Sequence, residues 1–169
     1  TEDEIRAFNA KIPGPLLSTC PLRSRFTEDR LAAAKGRVNQ YVILGAGLDS
    51  YALRKGRELG SIIVFEVDDP PFQAWKLQRI AKLGLKTPEQ VRYAPCDFET
   101  MSIADALAAR GFAANEPCFI SWLGVTQYLT LDAIRETLRW AGARPAGSEL
   151  VLTIVEPEDR PAADSGPRG

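Results

Sequence analysis

The sequence predicts an α/β fold built on a doubly wound, mostly parallel sheet. Three observations carry this expectation. Short apolar runs alternate with segments of helical pattern in the order βαβαβαβαβ, joined by brief links. The runs are apolar on both faces, as strands covered by helices on two sides require. A Gly-Ala-Gly turn stands directly after the first run, where a doubly wound sheet places its ligand. Parallel strands joined through helices imply right-handed crossovers.

The elements follow in order. A first helix is predicted over "TEDRLAAAKG" (27–36), opened by a Thr27 cap and closed by Gly36. "YVILG" (41–45) is the first strand. "SYALRKGREL" (50–59) is a helix that Gly56 weakens by about 1 kcal/mol. "SIIVFEVD" (61–68) is a β-branched strand ending in acid. "PPFQAWKLQRIAKLG" (70–84) starts with prolines suited to a first helical turn and stops at Gly84. Phe72, Trp75, Leu77, Ile80 and Leu83 supply its expected apolar face. "VRYAPCD" (91–97) is a weaker strand, and "MSIADALAARG" (101–111) a helix stopped by Gly111. "PCFISWLGV" (117–125) is the fourth strand. "TLDAIRETLRWAG" (130–142) begins at Thr130 and puts Ile134, Leu138 and Ala141 on one stripe. "SELVLTIVE" (148–156) is the fifth strand. Pro/Gly-rich stretches at 12–21 and 157–169 flank a single domain over 1–169, whose ordered core is expected over about 22–156.

Composition excludes several classes. The 169 residues suffice for one core, burying roughly 70 % of the unfolded surface. Net charge is -1 and no long basic run occurs, so no nucleic-acid partner is expected. No apolar run approaches the roughly 18 residues of a membrane span, so no membrane partner is expected either. "TEDEIRAFNAK" has no signal core, and a cytoplasmic location is the expectation. Cys20, Cys96 and Cys118 form no CxxC pair and are expected to be buried or indifferent thiols. The absence of histidine removes Ser-His-Asp and Cys-His catalysis and His-based metal sites. Oligomeric state is not legible.

Four strand ends carry the candidate chemistry. Gly45-Ala46-Gly47 lets a ligand approach the backbone and its N–H groups closely. Glu66 and Asp68 end the second strand, and an acid about 20 residues past a glycine turn is placed to accept ribose hydroxyls. The two acids point the same way; one reads ribose, while the other is expected to be buried and partnered. Asp97 could take an adenine amino group with Phe98 over the ring; a local cap is the competing role for the acid. Trp122, Gln127 and Tyr128 are pocket or core. Together these suggest an adenosine-containing ligand, either a dinucleotide or S-adenosylmethionine. In Gly45-Ala46-Gly47-Leu48-Asp49-Ser50, Ser50 replaces the third glycine of a dinucleotide fingerprint. Asp49 would repel a pyrophosphate and favours a ligand carrying ammonium and sulfonium. Arg23 and Arg25 lie upstream to meet its carboxylate.

"VILGAGLDS", "VFEVDDP", "PCDFE" and "FISWLGVTQYLT", in this order and over about residues 23–155, resemble the leucine carboxyl methyltransferase-like family, in particular its bacterial O-methyltransferase branch. The resemblance implies a class I methyltransferase (Rossmann-like) fold and S-adenosylmethionine as cofactor. It implies that Arg23, with Arg25 second, holds the methionine carboxylate. Gly45 and Gly47 would form the cofactor turn, Asp68 would bind ribose, and Asp97 with Phe98 would lie at the adenine. Leu123 stands where many relatives carry glutamate, leaving main-chain contacts there. The family fold continues with two more strands and a lid, so C-terminal strands are expected to be missing from this chain. The expected reaction is O-methylation of a small-molecule hydroxyl or a carboxylate. A nicotinamide oxidoreductase and a non-catalytic interaction domain of the same fold are the alternatives.

Overall fold

A computed structural model describes residues 14–154 of the protein. Its order is α1 (Gly14–Ala34), β1 (Gln40–Leu44), α2 (Tyr51–Lys55) running into a 3-10 turn (Gly56–Glu58), β2 (Ile63–Asp68), α3 (Pro70–Lys82), β3 (Val91–Pro95), α4 (Ile103–Ala108), β4 (Cys118–Trp122), a 3-10 turn (Thr126–Tyr128), α5 (Leu131–Gly142) and β5 (Glu149–Leu152). The five strands pair in parallel in the order β3-β2-β1-β4-β5. The chain therefore winds outward through β2 to β3, then returns to lay β4 on the other side of β1. β1 is buried at every position, as the central strand must be.

Alternate side chains of β1 feed two cores. Tyr41 and Ile43 join Leu31 and Ala34 of α1 and Tyr51 and Ala52 of α2 on one face. Val42 and Leu44 join Ile103 and Leu107 of α4 and Trp122 of β4 on the other. Tyr41 anchors the first, meeting Tyr51 and Phe119 edge-on at centroid distances of 5.4 and 5.5 Å. Trp122 belongs to the second core and is fully buried, so it packs rather than lining a pocket.

Local differences from the sequence expectations have physical causes. The first helix starts at Gly14, well before position 27, and runs through Pro21. Pro21 is exposed, so the lost helical bond lies away from the sheet. Thr27 is then no cap: buried in mid-helix, its hydroxyl donates to the Arg23 carbonyl at 2.8 Å. The helix after β1 is only Tyr51–Lys55, tightening to 3-10 form at Gly56. Ser102 and Thr130 do cap α4 and α5.

The largest difference is α3. Gln73, Lys76 and Ile80 face the sheet, while Phe72 (41 %), Trp75 (44 %) and Leu83 (62 %) are exposed. The apolar residues were expected inside. Glu66 lies on the covered face of β2, and a buried carboxylate requires a cation. Lys76 supplies it, and the stripe that contains Lys76 is turned inward. The displaced aromatics satisfy each other: Phe72 meets Trp75 at 5.3 Å, and Arg79 lies 5.7 Å over Trp75. On α5, Ile134 and Ala141 of the predicted stripe pack against the second core beside the buried Ala133 and Thr137, and only Leu138 is exposed, at 40 %.

No described helix is long and apolar enough to cross a membrane. Cys96 and Cys118 are buried, Cys20 is half-buried, and all three are unpaired. Burial pushes the Cys96 thiol up to about 11, with Asp97 adding to the effect.

Candidate functional site

The order β3-β2-β1-β4-β5 reverses between β1 and β4, and their C-terminal ends form the crevice where an open sheet binds ligands. Two cavities meet there. One, of about 470 Å³, lies toward α1 and α2; the other, of about 540 Å³, lies toward β3 and the turn after β4. Gly45, Gly47, Gly124 and Val125 line both, so a single elongated ligand can pass over this ridge.

The ridge requires glycine. Gly45 has φ +65°, and a Cβ on it would drive into the Val125 side chain. Gly124 has φ +70°, and a Cβ there would stand 2.6 Å from both terminal nitrogens of Arg23. Arg23 thus reaches from α1 across the main chain after β4. Its half-buried guanidinium lines the first cavity and has no hydrogen bond or ion pair among the described residues. A half-buried cation left open in a cavity suits an anion. Arg25, the second candidate, is exposed and pairs with Asp29 at 3.0 Å, outside both cavities.

Arg23, Gly45, Ala46, Gly47, Asp49 and Leu123 all line the first cavity. Asp49 Oδ1 accepts the Tyr51 N–H at 2.7 Å, fastening the turn to the start of α2. Ser121 forms part of the floor, bonded to Tyr41 Oη at 2.9 Å. Desolvation pushes the Tyr41 phenol up. Arg54 also reaches this cavity, held by Glu28 of α1 and by Ser50.

Asp68, Asp97 and Phe98 line the second cavity with Gly45 and Gly47. Asp68 Oδ2 accepts the Gly47 N–H at 2.6 Å and Oδ1 accepts the Asp69 N–H at 2.8 Å. Each carboxylate oxygen keeps a further acceptor position. Burial raises the Asp68 carboxyl above its ordinary range, while the Gly47 and Asp69 N–H groups and the Lys76 charge oppose it. Asp97 is engaged locally: Oδ1 takes the Glu99 N–H at 2.9 Å and Oδ2 the Thr100 hydroxyl at 2.7 Å. These bonds hold its carboxyl below the usual range. Glu99 in turn accepts from the Thr130 N–H and hydroxyl at 2.8 and 2.7 Å, tying this loop to the start of α5. Tyr128 lies exposed at this cavity, whereas Gln127 turns back to the Gly124 carbonyl at 3.0 Å.

Glu66 lines neither cavity. It is 2 % exposed and bonds Lys76 Nζ at 2.5 Å, while Gln73 Nε2 donates to its carbonyl at 2.9 Å. Burial raises its carboxyl and Lys76 opposes the shift. Of the two acids on β2, Asp68 is open to the cavity and Glu66 is the partnered one. The sequence did not point to Lys76, Gly124 or Val125. Lys76 had one legible signal: an acid inside an apolar strand implies a buried cation nearby.

The family model for leucine carboxyl methyltransferase matches residues 5–142. YktD of Bacillus subtilis, named for S-adenosyl-L-methionine-dependent methyl transfer, is 41 % identical over 69 % of this chain and 38 % of its own length. A relative from Mycobacterium sp. strain JLS, similarly named, is 37 % identical over 79 % of this chain and 43 % of its own. The chain thus spans about two fifths of the length of these relatives. Among solved structures, a DUF574 family protein from Streptomyces avermitilis superposes with a TM-score of 0.56 at 22 % identity, covering 77 % of this chain and 53 % of that one. The glycopeptide N-methyltransferase MtfA, solved with S-adenosyl-L-methionine, gives 0.52 at 13 % identity over 78 % of this chain and 54 % of that one. At these identities the likeness concerns the fold, the class I methyltransferase fold. By the match over residues 5–142 and the order of its sheet, the chain belongs to the leucine carboxyl methyltransferase family.

Proposed function

We propose that the protein binds S-adenosylmethionine across the two cavities and transfers its methyl group to an acceptor oxygen, a small-molecule hydroxyl or a carboxylate. One observation carries this: an Arg23 guanidinium with no partner among the described residues and a half-buried Asp68 carboxylate stand at either side of the Gly45–Gly47 ridge. A zwitterionic amino acid joined to a ribose needs that sequence of charges. The relatives' names support the same cofactor.

The residues fit the group by the chemistry of their donors. Arg23 would hold the methionine carboxylate and Asp49 the ammonium. Asp68 would accept ribose hydroxyls, and Phe98 would cover the adenine beside Asp97. Leu123 offers its main chain. The bound cofactor supplies a methyl carbon activated by a positive sulfur. The protein's task is orientation: Asp68 fixed by two N–H groups and Asp49 fixed by Tyr51 are pre-set before binding. A carboxylate acceptor is already ionised and needs no base. For a hydroxyl acceptor, a base drawn from these 169 residues would be a carboxylate or a tyrosine, since they include no histidine. Tyr41 is unsuited, its phenol being buried and raised. With a net charge of -1, we take the acceptor to be a small molecule, not a nucleic acid.

Calorimetry with S-adenosylhomocysteine, followed by methyl transfer to a panel of hydroxyl and carboxylate acceptors, tests this proposal. Methyl esters release methanol in mild base and ethers do not, which separates the two acceptors. Binding without transfer across the panel favours the non-catalytic alternative.

A further inference from the structure

A buried Lys–Glu pair seldom raises stability, because desolvation offsets the attraction. Yet Lys76 and Glu66 are 4 % and 2 % exposed. The ammonium also makes a bond that a simple pair does not need. Lys76 Nζ donates to the main-chain carbonyl of Asp49 at 2.9 Å as well as to Glu66 Oε2 at 2.5 Å. One cation on α3 therefore joins β2 to the far end of the turn that follows β1. That turn is short, so its orientation depends on what grips its ends. Val67 holds one end, its carbonyl accepting the Ala46 N–H at 3.0 Å. Lys76 holds the other at Asp49.

We infer that Lys76 is a positioning residue for the ligand turn, acting through the Asp49 carbonyl to aim the Asp49 carboxylate into the first cavity. The inference rests on the proposed S-adenosylmethionine site. It assigns Lys76 to the amino-acid half of the ligand, because Asp49 lines the first cavity only. The ribose side has its own support in the bonds of Asp68 to Gly47 and Asp69, none of which involves the ammonium directly. Glu66 serves as the counter-ion of Lys76 in the interior.

Two probes separate the halves. S-adenosylhomocysteine carries the amino-acid end; 5′-methylthioadenosine keeps adenosine and thioether but lacks it. Both are titrated calorimetrically into the full-length wild-type protein, into Lys76→Met and into the double variant Lys76→Met/Glu66→Leu. The double variant removes both buried charges, so it preserves folding where the single change leaves a carboxylate unpaired. Its thermal midpoint is measured alongside. In each folded variant, S-adenosylhomocysteine affinity is expected to fall about tenfold or more and methylthioadenosine affinity by less than about threefold. Equal losses for both probes, or unchanged affinity in the double variant, would overturn the positioning role and leave a merely structural pair. If the wild-type protein binds neither probe, the cofactor reading itself fails, and this inference fails with it.

Discussion

Gly47 donates its main-chain N–H to Asp68 Oδ2 at 2.6 Å, so the glycine turn and the acid 21 residues beyond it are one structure. The bond joins the ends of β1 and β2, fixes the acid over the second cavity and leaves acceptor positions for hydroxyls. Neither residue alone identifies a site; the pair brings a backbone donor and a carboxylate to the strand ends where a parallel sheet binds nucleosides.

Arg23 and Arg25 are two apart on α1 and should behave oppositely. Arg23→Gln is expected to weaken S-adenosylhomocysteine by about tenfold or more, since it removes the open cation of the first cavity. Arg25→Gln should leave affinity within about twofold and the unfolding midpoint nearly unchanged, being an exposed partner of Asp29. Calorimetry and thermal unfolding of the two variants measure this contrast.

Gly45→Ala should destabilise by about 2–3 kcal/mol, from the left-handed backbone at φ +65° and the collision with Val125. In the double variant Gly45→Ala/Val125→Ala the collision is gone and the backbone strain stays. Its loss should therefore be smaller than the sum of the two single losses. Urea unfolding of the four proteins provides the comparison.

The loop after β3 gives a pH effect. The Glu99 N–H and the Thr100 hydroxyl hold the Asp97 carboxyl below its ordinary 3.8. A depressed acid binds fewer protons folded than unfolded, so its contribution is present above the unfolded value and is lost as pH falls through the folded one. Asp97→Asn keeps an acceptor and removes the charge. Its unfolding midpoint should decline less steeply than that of the wild type below about pH 4, in urea titrations at stepped pH.

Much of this site was legible because its parts obey local rules. The glycine turn, the acidic end of β2 and the Asp97-Phe98 pair occupy strand ends that alternation alone locates. The family resemblance already put Asp68 before Glu66 and Arg23 before Arg25; what the structure added is the partner of the acid and of the arginine left over, Lys76 for Glu66 and Asp29 for Arg25. A two-residue spacing fixes which face a side chain shares, not what meets it there. Helix rotation was the main illegible quantity. On α3 the count of apolar residues pointed to Phe72, Trp75 and Leu83, but one unpartnered carboxylate on β2 outweighed them and drew Lys76 inward. The start of α1 was hidden because the Pro/Gly-rich stretch at 12–21 was expected to flank the ordered core, whereas Pro15 lies in the first helical turn and Pro21 on the exposed side.

The central claim is that the acid after β2 reads the sugar of an adenosyl ligand. Titrating S-adenosylhomocysteine into the full-length wild-type protein and into Asp68→Ala, with circular dichroism to establish that both are folded, tests it most directly. The account predicts one site per chain in the wild type and a loss of at least about tenfold in the variant, about 1.4 kcal/mol. Equal affinity in the two proteins, or no heat of binding in the wild type, would contradict it.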